Sequence, residues 1–506
     1  MKTFLKKYWK FILAFTVLNF GFMAYEFIYY GIDKTPRMKY VALITFAHAI
    51  LEFGSIFLYA KMKAKNIKLE KIFACLALIL GIFQIAVTPF DAVSDEKVHF
   101  LRAFEVSQGH FTATREKKIS HYASNVPIEI YNSEYQLQDD HKQYNRMFEN
   151  LFKNSGETVS IPYDDAASYS PFAYTPQALG LAIGRFLNFS PMICFYLGRL
   201  FMLFTFVLIC YFALKLMPKY REFMLFVMLL PMTLQQCMAY SVDALLICMS
   251  FLLIASIMRA IYGEEKTIKK KLLFTIYFSG IFVVFLKHLA YAPILLLFLL
   301  IPSQKFKHKF EKYIHLIVIV GIAYFINGLF LPVTLTKDTF VSTYETTKAE
   351  TDYYDLTIMS AGTFFGYHPT FLVNSMFGIV LDYGFHDAPV LIYNYIVIIF
   401  AIVLIMKNVE KFQQKKFEKL VAWAIPIIIV AMLYYVAYAM WHMFSEDGLT
   451  IRGVHGRYFL PFLPIIPFML HPKKPYLKDK MDVDYVFLFG IFANVAIIIT
   501  KFLLHF

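Results

Sequence analysis

The sequence predicts an all-α polytopic membrane protein, and three observations carry that prediction. Of its 506 residues, 59% are hydrophobic and 17% charged, outside ordinary globular usage. Apolar runs close to the length a spanning helix needs, about 20 residues, recur along the chain. Lysine and arginine gather in short stretches between those runs, the pattern of loops kept on the cytoplasmic side. The formal charge of +13 therefore reads as a topology signal and excludes nothing but a nucleic-acid footprint. Abundant Phe (55) and Tyr (35) suit lipid-facing and interfacial positions.

Taken in order, the first candidate spans are 11–31, 40–60 and 71–89. Lys2, Lys6, Lys7 and Lys10 precede the first with no small-residue cleavage site after it, so it reads as a retained helix. Lysines from Lys61 to Lys71 follow the second, which puts that loop and the N-terminus in the cytoplasm. A polar region of roughly 100 residues, Phe90 to Pro191, comes next, too long for a plain connector. Within it, Pro171 and Pro176 introduce a helix of about a dozen residues, too short to cross, which is placed along the outer interface. Further spans are expected at 192–214, 222–239, 243–261, 272–286, 290–301, 313–333, 389–406, 420–440, 457–470 and 484–503. The pair at 272–301 is split at Lys287–His288, since basic ends on both sides demand an even number of crossings, and a buried broken helix fits its short halves. The sum is about 13 crossings with the C-terminus outside.

This topology sends many polar groups to one face. The run TPFDAVSDEKVHFLRAFEVSQGH, Thr88 to His110, supplies Asp91, Asp95, Glu96, His99 and Arg102. On a helix starting near Ser94, Asp95, His99 and Arg102 share a side. Asp95 is the best general-base candidate, because a carboxylate beside a dry site has a tunable proton affinity. Glu96 and His99 are competent to orient it or to hold a divalent metal. Asp243 opens a later span, where it serves an acceptor, orients Arg199, or merely caps the helix. Arg452, His455, Arg457 and Tyr458 lie just outside a span; arginine forks match phosphate oxygens, and Arg185 and Arg199 are weaker candidates of the same kind. Lys287 and His288 join the same face, as do FFGYHP and DYGFHD in the loop 334–388. Each cluster has a bland counterpart: a polar helix cap for the acids, interfacial anchoring for Arg and Tyr, a structural role for the single histidines.

Other chemistries lack their motifs. The five cysteines, Cys75, Cys194, Cys210, Cys237 and Cys248, lie in or beside apolar runs and form no disulfide or metal spacing. There is no nucleotide-binding loop, dinucleotide fingerprint or hydrolase elbow.

SDEKVHFLRAFEVSQGH resembles the PDE-x-x-HF-x-RA…S-x-G signature of a large family of uncharacterised bacterial polytopic membrane proteins. YSPFAYTPQALGLAIGR…FYLGR, LLPMTLQQCMAYSVDAL and GVHGRYFLPFLP fit the same family in the same order. The resemblance covers roughly 75–480. That family is similar in turn to C-type (GT-C) membrane glycosyltransferases, among them protein O-mannosyltransferases and aminoarabinose transferases. Asp95, Glu96, His99 and Phe100 look like the DE-x-HF motif of the O-mannosyltransferase loop, with one extra residue before the histidine. The resemblance implies a GT-C-like core at 71–480 that includes the loop 90–191, an added helix pair at 1–70 and a final helix at 481–506. It also implies a polyprenyl-phosphate sugar donor, an extracytoplasmic site with Asp95 as acceptor-activating base, and a cell-envelope acceptor such as a polysaccharide, teichoic acid or lipid. A carrier or flippase of lipid-linked glycan, and a scaffold of an envelope-synthesis complex, are the alternatives.

Overall fold

The computed structural model describes residues 2–31, 41–112, 122–134, 143–167, 169–287, 289–330, 360, 388–407, 412, 414–440, 451, 453–472 and 481–505. Arg452, His288 and the two histidine motifs of the loop 334–388 lie outside them.

The described residues are mostly helical. Helices α1 (Lys2–Gly31), α2 (Val41–Ala64) and α3 (Leu69–Val87) lead into the first large loop. That loop contains α4 (Glu96–Ser107), strand β1 (Tyr122–Pro127), α5 (Gln143–Asn150), strand β2 (Thr158–Pro162) and α6 (Thr175–Phe186). The strands pair antiparallel, Tyr122 opposite Pro162 and Pro127 opposite Thr158, with a bulge between Ala123 and Val126. Then follow α7 (Pro191–Leu216), α8 (Arg221–Met228), α9 (Pro231–Gln236), α10 (Val242–Tyr262) and α11 (Lys270–Phe285). A 3₁₀ segment, Ala292–Leu300, precedes α12 (Glu311–Phe330), α13 (Ala388–Lys407) and α14 (Lys416–Tyr435). A second 3₁₀ segment, Gly456–Ile465, runs into α15 (Ile466–Leu470), and α16 (Val483–His505) closes the chain.

Among the described residues six helices are long and apolar enough to cross a membrane: Val41–Ala64, Leu69–Val87, Pro191–Leu216, Val242–Tyr262, Lys416–Tyr438 and Val483–Leu503. Two of them, α10 and α16, are almost wholly buried by other helices, which fits their lack of a polar face.

Four expected spans are not continuous α-helices: 420–440 passes into a π-helical turn at Val436–Met440, and three others break more sharply. The run 222–239 breaks at Leu229–Leu230, because Pro231 has no N–H to continue the ladder. Carbonyls freed by the break find side chains: Asn494 of α16 donates to Leu229 O at 2.8 Å, and Thr233 Oγ1 to Val227 O at 2.7 Å. Gln84 of α3 in turn donates to Asn494 Oδ1 at 2.9 Å. Irregular backbone inside an apolar interior survives only with such partners. The run 290–301 is the short 3₁₀ segment after Pro293, and 457–470 is 3₁₀ helix until α15, with Pro461 and Pro464 inside it. The expected break near Lys287 is present, since α11 ends at Phe285.

The first two helices are pinned to the last one. Asp484 accepts from Tyr8, Tyr59 and Lys63, while Asp482 accepts from Lys7 at 2.8 Å and Tyr8 at 2.6 Å. Deeper in, the fully buried Glu52 accepts from Thr16 at 2.7 Å and Asn19 at 2.8 Å, and shares a 3.1 Å contact with His48. Asn19 also donates to Phe492 O of α16 at 3.1 Å.

The twelve-residue α6 has the length expected of the non-crossing helix, and glycines let it lie against α7. A Cβ at Gly180 would sit 2.6 Å from Leu197 O, and one at Gly184 2.7 Å from Cys194 Sγ. On α7, a Cβ at Gly198 would fall 1.8 Å from the Tyr240 hydroxyl, which donates to Phe195 O at 2.9 Å. Gly198→Val should therefore displace Tyr240 and cost about 1–3 kcal/mol, read as a lower midpoint of thermal unfolding in detergent; an unchanged midpoint would show that this crossing has slack.

Candidate active site

The loop after α3 turns sharply twice, with Asp91 and Asp95 both in the left-handed region (φ 64° and 59°). Asp95, not Ser94, stands at the N-cap of α4, and its side chain makes no cap hydrogen bond to the helix. That turn separates Asp95 from Glu96: the two carboxylates face different partners.

Glu96 points inward. It is fully buried against an equally buried Arg199 of α7, with Nε to Oε1 at 2.9 Å and Nη2 to Oε2 at 2.5 Å. Arg199 also donates to the carbonyls of Thr88 and Pro89, and its guanidinium lies 4.5 Å from the Phe195 ring centroid. Backbone N–H groups of Asp91 and Tyr240 each donate to Glu96 at 3.2 Å. Four of the five Arg199 N–H groups and both Glu96 oxygens are thus engaged within the protein, an arrangement that suits a structural bridge between α4 and α7.

Asp95 points outward, its side chain 52% exposed. Its Oδ2 accepts from Arg457 Nη2 at 2.6 Å. Arg457 Nε lies 3.6 Å from Asp243 Oδ2, and Asp243 Oδ1 accepts from Lys287 Nζ at 2.6 Å. Lys287 Nζ sits 3.6 Å from the centroid of the Tyr458 ring, and Tyr291 donates to Tyr458 O at 2.8 Å. The result is a file of alternating charge, Asp95–Arg457–Asp243–Lys287, that starts at the half-exposed Asp95 and ends buried. Ser241 caps α10 by accepting from Asp243 N at 3.1 Å, which leaves the Asp243 carboxylate to the two cations. Of the polar groups expected on one face, the structure brings Asp95, Asp243, Lys287, Arg457 and Tyr458 together, while Arg199 turns to Glu96. His455 packs edge-on against Tyr458, centroids 5.5 Å apart.

His99 is buried beside this file. Its Nδ1 and the Tyr174 hydroxyl share a 2.7 Å hydrogen bond, and Tyr169 packs 5.7 Å away. Burial pushes its imidazole down to about 4, against the pull of Asp95 and Asp243. His99 and Glu96 turn to different partners, and among the described residues no three His, Cys, Asp or Glu side chains converge as metal ligands, so the expected metal pair does not form. Asp91 accepts from Lys97 N at 3.0 Å, capping α4; burial pushes its carboxyl up to about 7 although that hydrogen bond opposes it. Arg102 does not reach the file. It donates to His110 O at 3.3 Å and Phe111 O at 2.7 Å and pairs with Glu105 at 3.6 Å. Arg185 likewise fastens the end of α4, donating to Ser107 Oγ at 2.7 Å. Tyr169, Tyr174 and Tyr291 line the region without having been singled out; the motif YSPFAY held the first two, but 35 tyrosines leave each without a distinguishing mark.

These features define a polytopic helical membrane protein with a charged file between helix ends, whose first member, Asp95, comes from the first large loop. The chain belongs to the family described as predicted membrane protein DUF2142, whose profile matches residues 78–466. Comparison with curated proteins gives no match, and comparison with solved structures gives none. Helices α1, α2 and α16 lie outside the matched region.

Two expectations follow. Glu96→Gln strands Arg199 as an uncompensated buried charge and should lower stability by about 3–5 kcal/mol, whereas Asp95→Asn, at a side chain that water reaches, removes one partner of Arg457 and should cost markedly less. The pH profile separates two neighbours. The unfolded chain takes up a proton on His99 near 6.5 and the native one only near 4, so this contribution is complete above pH 6.5 and fades as pH falls toward 4. Asp91 has the opposite sign: its contribution is complete below 3.8 and fades as pH rises through 7. His99→Gln should flatten the acid limb of the unfolding midpoint and Asp91→Asn the neutral limb, checked by thermal melts between pH 4 and 8.

Proposed function

We propose that the protein is a membrane glycosyltransferase with a GT-C-like core. It moves a sugar from a polyprenyl-phosphate donor to a hydroxyl of a cell-envelope polysaccharide, teichoic acid or lipid on the extracytoplasmic face. One observation carries this reading: a half-exposed carboxylate, Asp95, is gripped by a buried arginine, Arg457, at the head of a file whose second cation, Lys287, lies behind it. An acid–base pair placed at an opening, over cations shielded from water, suits the transfer of a group that leaves as a phosphate.

In this proposal the donor phosphate takes Arg457, supported by Lys287. Losing its arginine partner raises the proton affinity of Asp95, which then accepts the proton of the acceptor hydroxyl. The acceptor oxygen forms the new bond to the anomeric carbon, the bond from that carbon to phosphate oxygen breaks, and polyprenyl phosphate departs with the electron pair. Arg457 and Lys287 offset the charge that develops there. Tyr458, held between the two cations, keeps both in place. A membrane location agrees with the family's description and with six helices long and apolar enough to cross; the cytoplasmic N-terminus and the outward-facing site follow from the lysine-rich loops and belong to the proposal.

Purified protein in lipid nanodiscs, given radiolabelled polyprenyl-phosphate sugars and envelope acceptors, tests this reading. Asp95→Asn should slow transfer by about 10²–10⁴-fold in a protein that still unfolds cooperatively above the assay temperature, and Arg457→Lys should chiefly weaken donor use. Undiminished transfer by a folded Asp95→Asn protein would remove the assigned base.

A further inference from the structure

At the end of the bundle where α7 finishes and α11 begins lies a cavity of about 630 Å³ that the reading above does not use. Its mouth carries Lys215, Arg259, Lys269, Lys271 and Lys305 against a single carboxylate, Glu265. Arg259 takes Glu265 at 2.7 Å and Lys269 approaches the same carboxylate at 3.7 Å. Lys305 donates to Gly263 O at 2.8 Å, closing the end of α10. Lys215 and Lys271 are exposed and have no carboxylate partner among the described residues. The first turn of α11 opens beside them with no side-chain cap, so its unpaired N–H groups add positive potential.

Behind this cationic rim the walls are apolar. Phe212 of α7 and Phe274 and Phe278 of α11 are 46%, 70% and 41% exposed, and Leu252 and Leu272 line the space between them. A soluble anion would need only the rim. The rim joined to exposed aromatic rings along two helices matches a molecule with a phosphate head and hydrocarbon tails. The geometry points to an anionic phospholipid bound here, its phosphate between Lys215 and Lys271 and its tails between α7 and α11. The charge balance of the rim, five cations to one acid, favours an anionic over a zwitterionic lipid, since the choline of the latter would meet like charge. The site sits apart from Asp95 and does not rest on the proposed transfer.

Native mass spectrometry of the full chain in detergent tests this, with phosphatidylglycerol, phosphatidylcholine of the same acyl chains, and inorganic phosphate as probes. Phosphatidylglycerol should be retained at about tenfold lower concentration than phosphatidylcholine. The double variant Lys215→Gln/Lys271→Gln should erase that preference, while Lys415→Gln/Lys416→Gln, which removes the same charge elsewhere, should keep it. Equal retention of both lipids, a preference that survives the first double variant, or displacement of the lipid by millimolar inorganic phosphate would each overturn the proposal.

Discussion

The buried bridge between Glu96 and Arg199 is the constraint on which the site depends. Neither charge reaches water, so each must be matched atom for atom, and the match draws four pieces of chain to one point. The end of α3 supplies the Thr88 and Pro89 carbonyls, α4 supplies Glu96, α7 supplies Arg199, and the approach to α10 supplies the Tyr240 N–H. Once these are fixed, Asp95 has little choice. It is one residue away across a left-handed turn, and it faces the opening because Glu96 faces the interior. An ion pair of this kind adds little net stability compared with apolar packing, but removing one half is severe. Its value lies in defining one arrangement of the loop.

The charged file has a similar logic. Arg457 comes from a 3₁₀ segment, Lys287 from the end of α11, and Asp243 from the first turn of α10, so all three stand where regular helix stops. Helix ends expose backbone groups and admit polar side chains that an unbroken span could not hold. Pairing each carboxylate with a cation keeps the file neutral, and neutrality lets Arg457, Asp243 and Lys287 remain buried.

Much of this was legible in the residues, and the limits have physical causes. Helical class and most helix positions follow from apolar run length, which a bilayer sets directly. Reading the lysine-rich loops as one side of the membrane leaves Asp95, Asp243, Lys287 and Arg457 for the other, and the structure brings these four side chains together. What failed was pairing. Glu96 and Arg199 are 103 positions apart, and nothing in either local pattern says that they satisfy each other and not a ligand. Arg102 shares the spacing of His99 on α4, yet its long side chain turns to backbone carbonyls. The break in 222–239 did have a signal, since Pro231 followed by Gln235 and Gln236 departs from an ordinary span. Apolar length outweighed it.

The clamp at Asp484 has a consequence for how the chain is made. Tyr59 and Asp484 are 425 positions apart, and Tyr8 and Asp484 are 476 apart. During synthesis the first two helices are made long before the aspartate that ties them exists. Until α16 leaves the ribosome, Asn19 lacks its carbonyl at Phe492. The earliest helices to be made are therefore among the last to be locked, and a chain truncated before α16 would leave them loosely held and open to proteolysis.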